Sequence, residues 1–243
     1  MGKKCYKRPT IVSMKRLIFI VEGETEEMFV NSILKPYFLK SGFNNTLQCF
    51  KIKRSNGGMQ KYSYVKQDIL RVIYEQEAIV TTMFDFYALP STFPGQTDIK
   101  DINNHLEKVL YLEKKMKEDL EVSQRTSFGN YVPYIQLHEF EALVFTSEKG
   151  FEQLFEHSEM NYKGISELIK QYPNHEEIND SPQTAPSKRI KKLIPGYQKV
   201  LFGNRLVAYN GMSILLSKCP HFRSWIETLK AQLIEQNKTT EHE

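Results

Sequence analysis

The chain has 243 residues, which is enough for one large or two small domains whose core needs no disulfide or structural metal. Hydrophobic residues (40%) and charged residues (26%) are in the proportions of an ordinary soluble protein, and a net charge of +4 is too small to prove a nucleic-acid partner. No run approaches the ~18 apolar residues that cross a bilayer, so we expect a protein that is not membrane-bound. The three cysteines lie far apart without a C-x-x-C pair and indicate neither a disulfide framework nor a zinc knuckle, which favours the cytoplasm.

Strand-like and helix-like segments alternate through the first part of the chain. Residues 1–13 precede them and are either a basic N-terminal arm or the product of an upstream start codon. Apolar runs predict strands at 17–21, 46–52, 79–84 and 131–137. Helical spacing predicts helices at 25–40, where Pro36 should kink or shorten the helix, and at 63–76 and 99–120. This alternation predicts an α/β fold with a doubly wound, mainly parallel sheet of about four strands.

The last third of the chain changes character. A polar, proline-bearing stretch covers 173–186, strand signals disappear, and the remaining segments are typical of helices, the longest near 225–234. We therefore expect an α/β core at 14–146 and a helical appendage at 147–243 that packs on this core.

Carboxylates follow three of the predicted strands. Glu22 follows the first strand, Asp85 the third, and the pair His138-Glu139 the fourth. The carboxyl ends of parallel strands lie along one edge of a sheet, where α/β proteins bind ligands. Acids brought together there repel one another unless a cation holds them ionised, and Mg²⁺ or Mn²⁺ suits all-oxygen ligands. The sequence therefore predicts a metal site.

Several of these residues also have a simpler explanation. Glu26 lies in the first turn of a predicted helix, where acids commonly complement the helix dipole. Asp85 suits a cap on the loop that follows it. Glu139 and Glu141 compete for one ligand position, because residues i and i+2 share a face in a strand but diverge at a helix start. His138 suits metal ligation or proton transfer, but a histidine beside an apolar segment is often structural.

Two basic clusters are candidates for phosphate binding. One surrounds a loop and consists of Lys51, Lys53, Arg54 and Lys61. The other stands close together further along the chain and consists of Lys188, Arg189, Lys191, Lys192 and Lys199. Such clusters hold phosphates by charge, yet each is equally well explained as a solvated surface.

Five stretches of the chain resemble a known bacterial family. They are IFIVEGETEE, TTMFDFYALP, YIQLHEFEALVF, INDSPQTAPSKRIKKLIPGYQKV and CPHFRSW, and the match runs from Met14 through nearly the whole chain. Together they look like the domain-of-unknown-function 4276 family. That family is regarded as having a Toprim-like fold, the acidic α/β unit shared by topoisomerases, bacterial primases and several nucleases.

The resemblance implies roles for individual residues. Glu22 matches the glutamate after the first Toprim strand, a metal ligand or general acid/base. Asp85 matches the first aspartate of the Toprim Asp-x-Asp motif, but Tyr87 replaces the second. Glu139 or Glu141 could supply the missing ligand. Apart from the resemblance, Glu26 is a further candidate for the site because it follows Glu22 closely in the chain. The residues implied to bind substrate phosphates are Lys53, Arg54, Lys188, Arg189 and Lys192.

The function implied by the resemblance is a Mg²⁺-dependent nuclease that cleaves phosphodiester bonds in DNA or RNA. Related proteins are often encoded with an ATPase in phage-defence loci, which implies an ATPase partner. The alternative is a non-catalytic module that binds nucleic acid or an ATPase, and the Tyr87 replacement favours it. A small-molecule phosphotransferase is disfavoured, because no Walker or dinucleotide glycine pattern occurs.

Overall fold

A computed structural model describes residues 16–53, 59–75, 77–179 and 183–239 of the chain. The predicted N-terminal arm at 1–13 and Arg54 lie outside these ranges. None of the helices within the ranges is long and apolar enough to cross a membrane.

A parallel sheet lies at the centre of the fold. Its strands in the described part of the chain are β1 (Arg16–Val21), β2 (Leu47–Lys51), β3 (Ala78–Asp85), β4 (Tyr131–Val132) and β5 (Ile135–Gln136). They follow the order β2-β1-β3-β4, β5 also pairs with β3, and each pairing is parallel. The predicted α/β class, with a parallel sheet of about four strands, is confirmed.

The fourth predicted strand is divided into β4 and β5. Pro133 lies between them and has no N–H to donate to a strand ladder. The hydroxyl of Thr82 on β3 bridges the interruption, because it donates to the Tyr134 carbonyl at 3.2 Å and accepts from the Tyr134 amide at 3.0 Å. This segment therefore stays beside β3 along its length.

Helices make up most of the remaining secondary structure in the described chain. They are α1 (Glu24–Phe29), α2 (Lys35–Lys40), α3 (Tyr62–Leu70), α4 (His105–Gln124), α5 (Glu141–Val144), α6 (Lys149–Leu154), α7 (Tyr162–Gln171), α8 (Pro186–Leu193), α9 (Asn204–Asn210), α10 (Met212–Lys218) and α11 (Pro220–Thr239). Short 3₁₀ turns cover Phe86–Ala88, Asp98–Asp101 and His175–Glu177, and π-helical turns cover Val30–Leu34 and Lys199–Gly203. The C-terminal region is helical, as predicted.

The first predicted helix forms as α1 and α2, joined by the π-helical turn Val30–Leu34. Pro36 lies in the first turn of α2. In a regular helix its ring would clash with the carbonyl one turn earlier, and the wider π turn relieves that clash. The disturbance expected from Pro36 is therefore present, but the chain remains helical through it.

Side chains of β1 alternate between two hydrophobic cores, one on each face of the sheet. Leu17 and Phe19 pack with α1, α2 and the helices of the C-terminal region. Ile18 and Ile20 pack with α3 and α4 on the other face. The C-terminal helices therefore cover one face of the sheet together with α1 and α2.

The last helix, α11, is held to the sheet by stacking and by buried hydrogen bonds. The rings of Trp225 and Tyr134 stack with their centroids 4.1 Å apart, and Trp225 Nε1 donates to Thr81 Oγ1 on β3 at 2.8 Å. Buried Glu176 caps the start of α11, where it accepts from the His221 amide at 2.8 Å. The CPHFRSW stretch thus holds the C-terminal helix against the sheet.

Candidate functional site

A cavity of about 710 Å³ opens at the carboxyl ends of β1, β2 and β3. This is the edge of the sheet at which α/β proteins bind ligands. The charged side chains that line it are Glu22, Glu24, Glu26, Lys51, Lys53, Asp85 and Lys199. We call it the acidic cavity.

Glu22 enters the cavity at the turn between β1 and α1. Gly23, the residue before α1, donates its amide to Glu26 Oε2 at 3.1 Å, so the Glu26 side chain closes the turn. The other oxygen, Glu26 Oε1, lies 3.4 Å from the ammonium of Lys199. The Glu26 carboxylate therefore both contacts the start of α1 and faces the cavity.

Asp85 is the last residue of β3, and all eight residues of that strand are buried. Its side chain makes no capping hydrogen bond to the turn Phe86–Ala88, so the cap interpretation is wrong. Asp85 Oδ2 instead lies 3.3 Å from the Lys199 ammonium. The carboxylate faces the cavity.

Glu139 and Glu141 point to different places. His138 has a positive φ of 67°, which turns the chain sharply after β5 and starts α5 at Glu141. Glu141 Oε2 reaches to 3.4 Å from the Lys199 ammonium, whereas Glu139 Oε2 accepts from the Ser187 amide at 2.9 Å, in the first turn of α8. Of the two competing acids, the structure brings Glu141 to the cluster.

Lys199 stands among the carboxylates, a position that the sequence analysis did not foresee. It begins the π-helical turn Lys199–Gly203, and its ammonium contacts Glu26, Asp85 and Glu141 at 3.3–3.4 Å. Burial disfavours its charge, but attraction to these carboxylates outweighs burial and raises the pKa of Lys199. The sequence signals for Lys199 are its place in the second basic cluster and in the stretch INDSPQTAPSKRIKKLIPGYQKV, which carries the family resemblance.

The site carries more negative charge than Lys199 balances. Burial, and then the charge of Glu26, raises the pKa of Glu22 from 4.5 to about 7. Burial also raises the pKa of Asp85 well above its usual range and raises that of Glu141, although Lys199 opposes both shifts. A cluster of this kind takes up protons or a further cation.

Three carboxylate oxygens of the cluster are buried without a hydrogen-bond partner in the described structure: Glu22 Oε2, Glu26 Oε1 and Asp85 Oδ1. Such an all-oxygen set fits a hard cation such as Mg²⁺ or Mn²⁺. In the present arrangement the Lys199 ammonium occupies the centre, and within the described ranges no three His, Cys, Asp or Glu side chains are grouped closely enough to hold a metal ion. The donors fit, but metal binding requires the carboxylates to close around the ion.

Tyr87 stands where the resemblance leads one to expect a second aspartate. Its hydroxyl is hydrogen-bonded to the side-chain amide of Asn179, and its ring lies 5.3 Å from that of His138. His138 is fully buried and its ring also meets the ring of His105 edge-on at 4.8 Å. Tyr87 and His138 therefore take part in aromatic packing beside the cluster.

The predicted phosphate-binding residues are divided between two places. Lys53 lines the acidic cavity, and Arg54 lies outside the described residues. Lys188 is in the first turn of α8. Arg189 donates to the Thr184 carbonyl at 2.7 Å and, together with Lys192, lines a separate cavity of about 230 Å³. The structure thus brings Lys53, and not the α8 pair Arg189 and Lys192, to the acids.

Comparison with family models gives a match to one family, described as "Domain of unknown function (DUF4276)", over residues 21–230. The chain belongs to this family. Comparison with curated proteins and with solved structures gives no significant match.

The DUF4276 region contains the whole acidic cluster and the lysine at its centre. Its first matched residues lead directly into Glu22, and its far end falls within α11. The family match therefore covers strands β2 to β5, the residues that line the cavity, and the C-terminal helices as far as residue 230, but only the last residue of β1.

Proposed function

We propose that this DUF4276 protein is a Toprim-type nuclease that uses Mg²⁺ or Mn²⁺ to hydrolyse phosphodiester bonds in nucleic acid. The observation that carries the proposal is the acidic cavity. Glu26, Asp85 and Glu141 surround the Lys199 ammonium there, and Glu22 lines the same cavity. One oxygen each of Glu22, Glu26 and Asp85 is buried without a hydrogen-bond partner in the described structure. A divalent cation would be coordinated by these unpartnered oxygens and would also balance the excess negative charge of the cluster.

Each residue then has a definite task. Glu22, Asp85 and Glu141 would hold the ion, which supplies an activated water and polarises the phosphate. The Lys199 ammonium lies among the same carboxylates and would pair with a non-bridging phosphate oxygen. Lys53, on the rim of the cavity, would hold a neighbouring backbone phosphate without reading the base.

Location and partner are further parts of the proposal: the location rests on the cysteine content of the sequence, and the partner rests on the family resemblance alone. We expect the protein to act in the cytoplasm together with an ATPase that delivers or opens the substrate, in phage defence. Purified alone, it would then show low basal activity.

A second candidate is a binding module without metal chemistry. Two observations favour it: Tyr87 replaces an expected ligand, and the Lys199 ammonium already neutralises part of the cluster. In this alternative the lysine is a permanent structural counter-ion, and the cavity never exchanges it for a metal.

Calorimetric titration with Mg²⁺ and Mn²⁺ separates the two candidates. We expect wild type to bind the ion and Asp85→Asn to lose binding. The matched control is Glu167→Gln, an exposed carboxylate on α7 far along the chain from the cluster, which should behave as wild type. Cleavage of plasmid DNA and single-stranded RNA in the same buffers should follow metal binding. A wild type that binds neither ion would leave only the binding module.

A further inference from the structure

A second cavity, of about 420 Å³, adjoins the acidic cavity along the edge strand β2. Phe50 lies on its wall with 46% of its surface exposed, and no other phenylalanine in the described chain is classed as exposed. One exposed ring is common on protein surfaces, but this ring forms part of a cavity wall beside a candidate site, where its flat face is available to stack on a ligand.

The walls of this second cavity combine apolar and charged side chains. Ile20, Cys49 and Val72 join Phe50 in forming an apolar surface. The charged lining consists of the basic Lys51, Lys53 and Arg71 and the acidic Glu27 and Asp68. The two cavities are contiguous, because Lys51 and Lys53 line both.

Lys53 is the cation most open to a ligand. Lys51 pairs with Glu27 at 3.3 Å, and Arg71 pairs with Asp68. The Lys53 ammonium has no ion-pair partner among the described residues, while its backbone amide, bound to Asp68 Oδ2 at 2.9 Å, holds the residue in place after β2.

The register of the sheet sets how far Phe50 lies from Glu22 along the direction of the strands. Phe50 on β2 pairs with Ile20 on β1, two residues before Glu22. At about 3.3 Å per strand residue, the level of Phe50 lies about 7 Å from that of Glu22 along β1. That distance is on the scale of one step between neighbouring nucleotides in an extended strand.

We propose that the second cavity binds the base of an unpaired nucleotide next to the cleaved phosphate, with the base stacked on Phe50 and a phosphate held by Lys53. The substrate class is then single-stranded nucleic acid, DNA or RNA. The assignment of the cleaved phosphate rests on the proposed function, whereas the stacking site stands on the geometry of β2. In a duplex the base faces are covered by their neighbours, so a duplex cannot use this site.

Fluorescence anisotropy with labelled single strands and the matching duplexes tests this subsite, in EDTA and again with Ca²⁺. We expect wild type to bind single-stranded DNA or RNA more tightly than duplex. Phe50→Ala should weaken single-strand binding roughly 5- to 150-fold, the range for loss of one base–aromatic stack. Phe50→Tyr should retain binding. The control Tyr209→Ala removes an exposed aromatic ring on α9 that lines neither cavity.

A probe with 2-aminopurine at single positions gives a second readout, because stacking changes its fluorescence. One position should respond in wild type and lose its response in Phe50→Ala. Equal single-strand affinity of wild type and Phe50→Ala, equal affinity for duplex, or absence of strand binding by wild type would each overturn the subsite. A Phe50-dependent dimer in sedimentation, without Phe50-dependent strand binding, would assign the cavity to a second copy instead.

Failure of the subsite and failure of the proposed function are distinguishable. Strand binding in EDTA requires neither metal nor cleavage, so it can succeed in a protein that binds no Mg²⁺. Conversely, metal-dependent cleavage of both single strands and duplexes, unaffected by Phe50→Ala, would preserve the nuclease and remove the subsite.

Discussion

Replacement of Lys199 by methionine tests the charge balance of the acidic cavity directly. Methionine keeps much of the length and apolar stem of lysine but removes the ammonium. In the wild type that ammonium lies 3.3–3.4 Å from Glu26, Asp85 and Glu141. Its loss leaves buried carboxylates facing one another without a counter-ion in the metal-free protein.

The expected cost follows from burial and exposure. Removal of one partner from a buried ion pair typically costs about 3–5 kcal/mol. The Lys199 side chain is 33% exposed, whereas those of Glu26 and Glu141 are at most 5% exposed. Because solvent screens the lysine end, we reduce the estimate to about 2–3 kcal/mol of lost unfolding free energy near pH 8.

The cost should depend on pH in a defined direction. Loss of the ammonium raises the pKa values of carboxyl groups that are already raised by burial. When a carboxyl group has a higher pKa in the folded state than in the unfolded state, its protonated form favours folding. Its contribution to the free energy of unfolding is fully present below the unfolded-state pKa and is lost as the pH rises through the folded-state pKa. The deficit of Lys199→Met should therefore be small near pH 5 and should grow as the pH rises through about 7, the pKa of Glu22.

Urea denaturation in EDTA at several pH values measures this deficit. Lys192→Met is the matched control, since Lys192 is exposed on α8 and has no ion-pair partner in the described structure. Added Mg²⁺ should stabilise Lys199→Met more than wild type, because no ammonium competes for the carboxylates. A Lys199→Met protein as stable as Lys192→Met near pH 8 would refute the electrostatic reasoning.

Two further substitutions test neighbouring conclusions by the same denaturation assay. Glu22→Gln in EDTA removes a group whose pKa is raised from 4.5 to about 7. The variant should therefore match wild type near pH 4.5 and be more stable near pH 8 by up to about 3 kcal/mol, an effect that Glu24→Gln at the exposed cavity rim should lack. Gly150→Ala would place a Cβ 2.5 Å from the carbonyl oxygen of Leu206, between α6 and α9, and should cost about 1–3 kcal/mol. Gly129→Ala is its control, because a Cβ at Gly129 meets nothing within 4 Å. Equal stabilities of the two alanine variants would contradict the expected clash and show that α6 and α9 can move apart at little cost.

The sheet and two of its strand-end acids could be predicted because they depend on local pattern. The runs that end at Glu22 and Asp85 are apolar throughout, which is typical of strands covered on both faces, and β1 and β3 are indeed buried along almost their whole length. The alternation with helices then requires parallel pairing, so both acids had to lie at one edge of the sheet.

Which of Glu139 and Glu141 reaches the site could be decided only from the backbone conformation. Their i, i+2 spacing allows either or both to reach the site. The positive φ of His138 and the early start of α5 direct Glu141 to the Lys199 ammonium, while the Ser187 amide of α8 holds Glu139. A left-handed conformation at a histidine has no signal in the sequence.

By itself the sequence determined the fold class, the edge of the sheet that carries the acids, and the identity of Glu22 and Asp85 as its carboxylates. Only the tertiary structure decided what stands between them. Lys199 lies 114 residues from Asp85 in the chain, and it reaches the cluster because the C-terminal helices fold across one face of the sheet. Residues within one strand or turn are positioned by local backbone geometry, whereas a contact over that separation exists only once the two hydrophobic cores have formed.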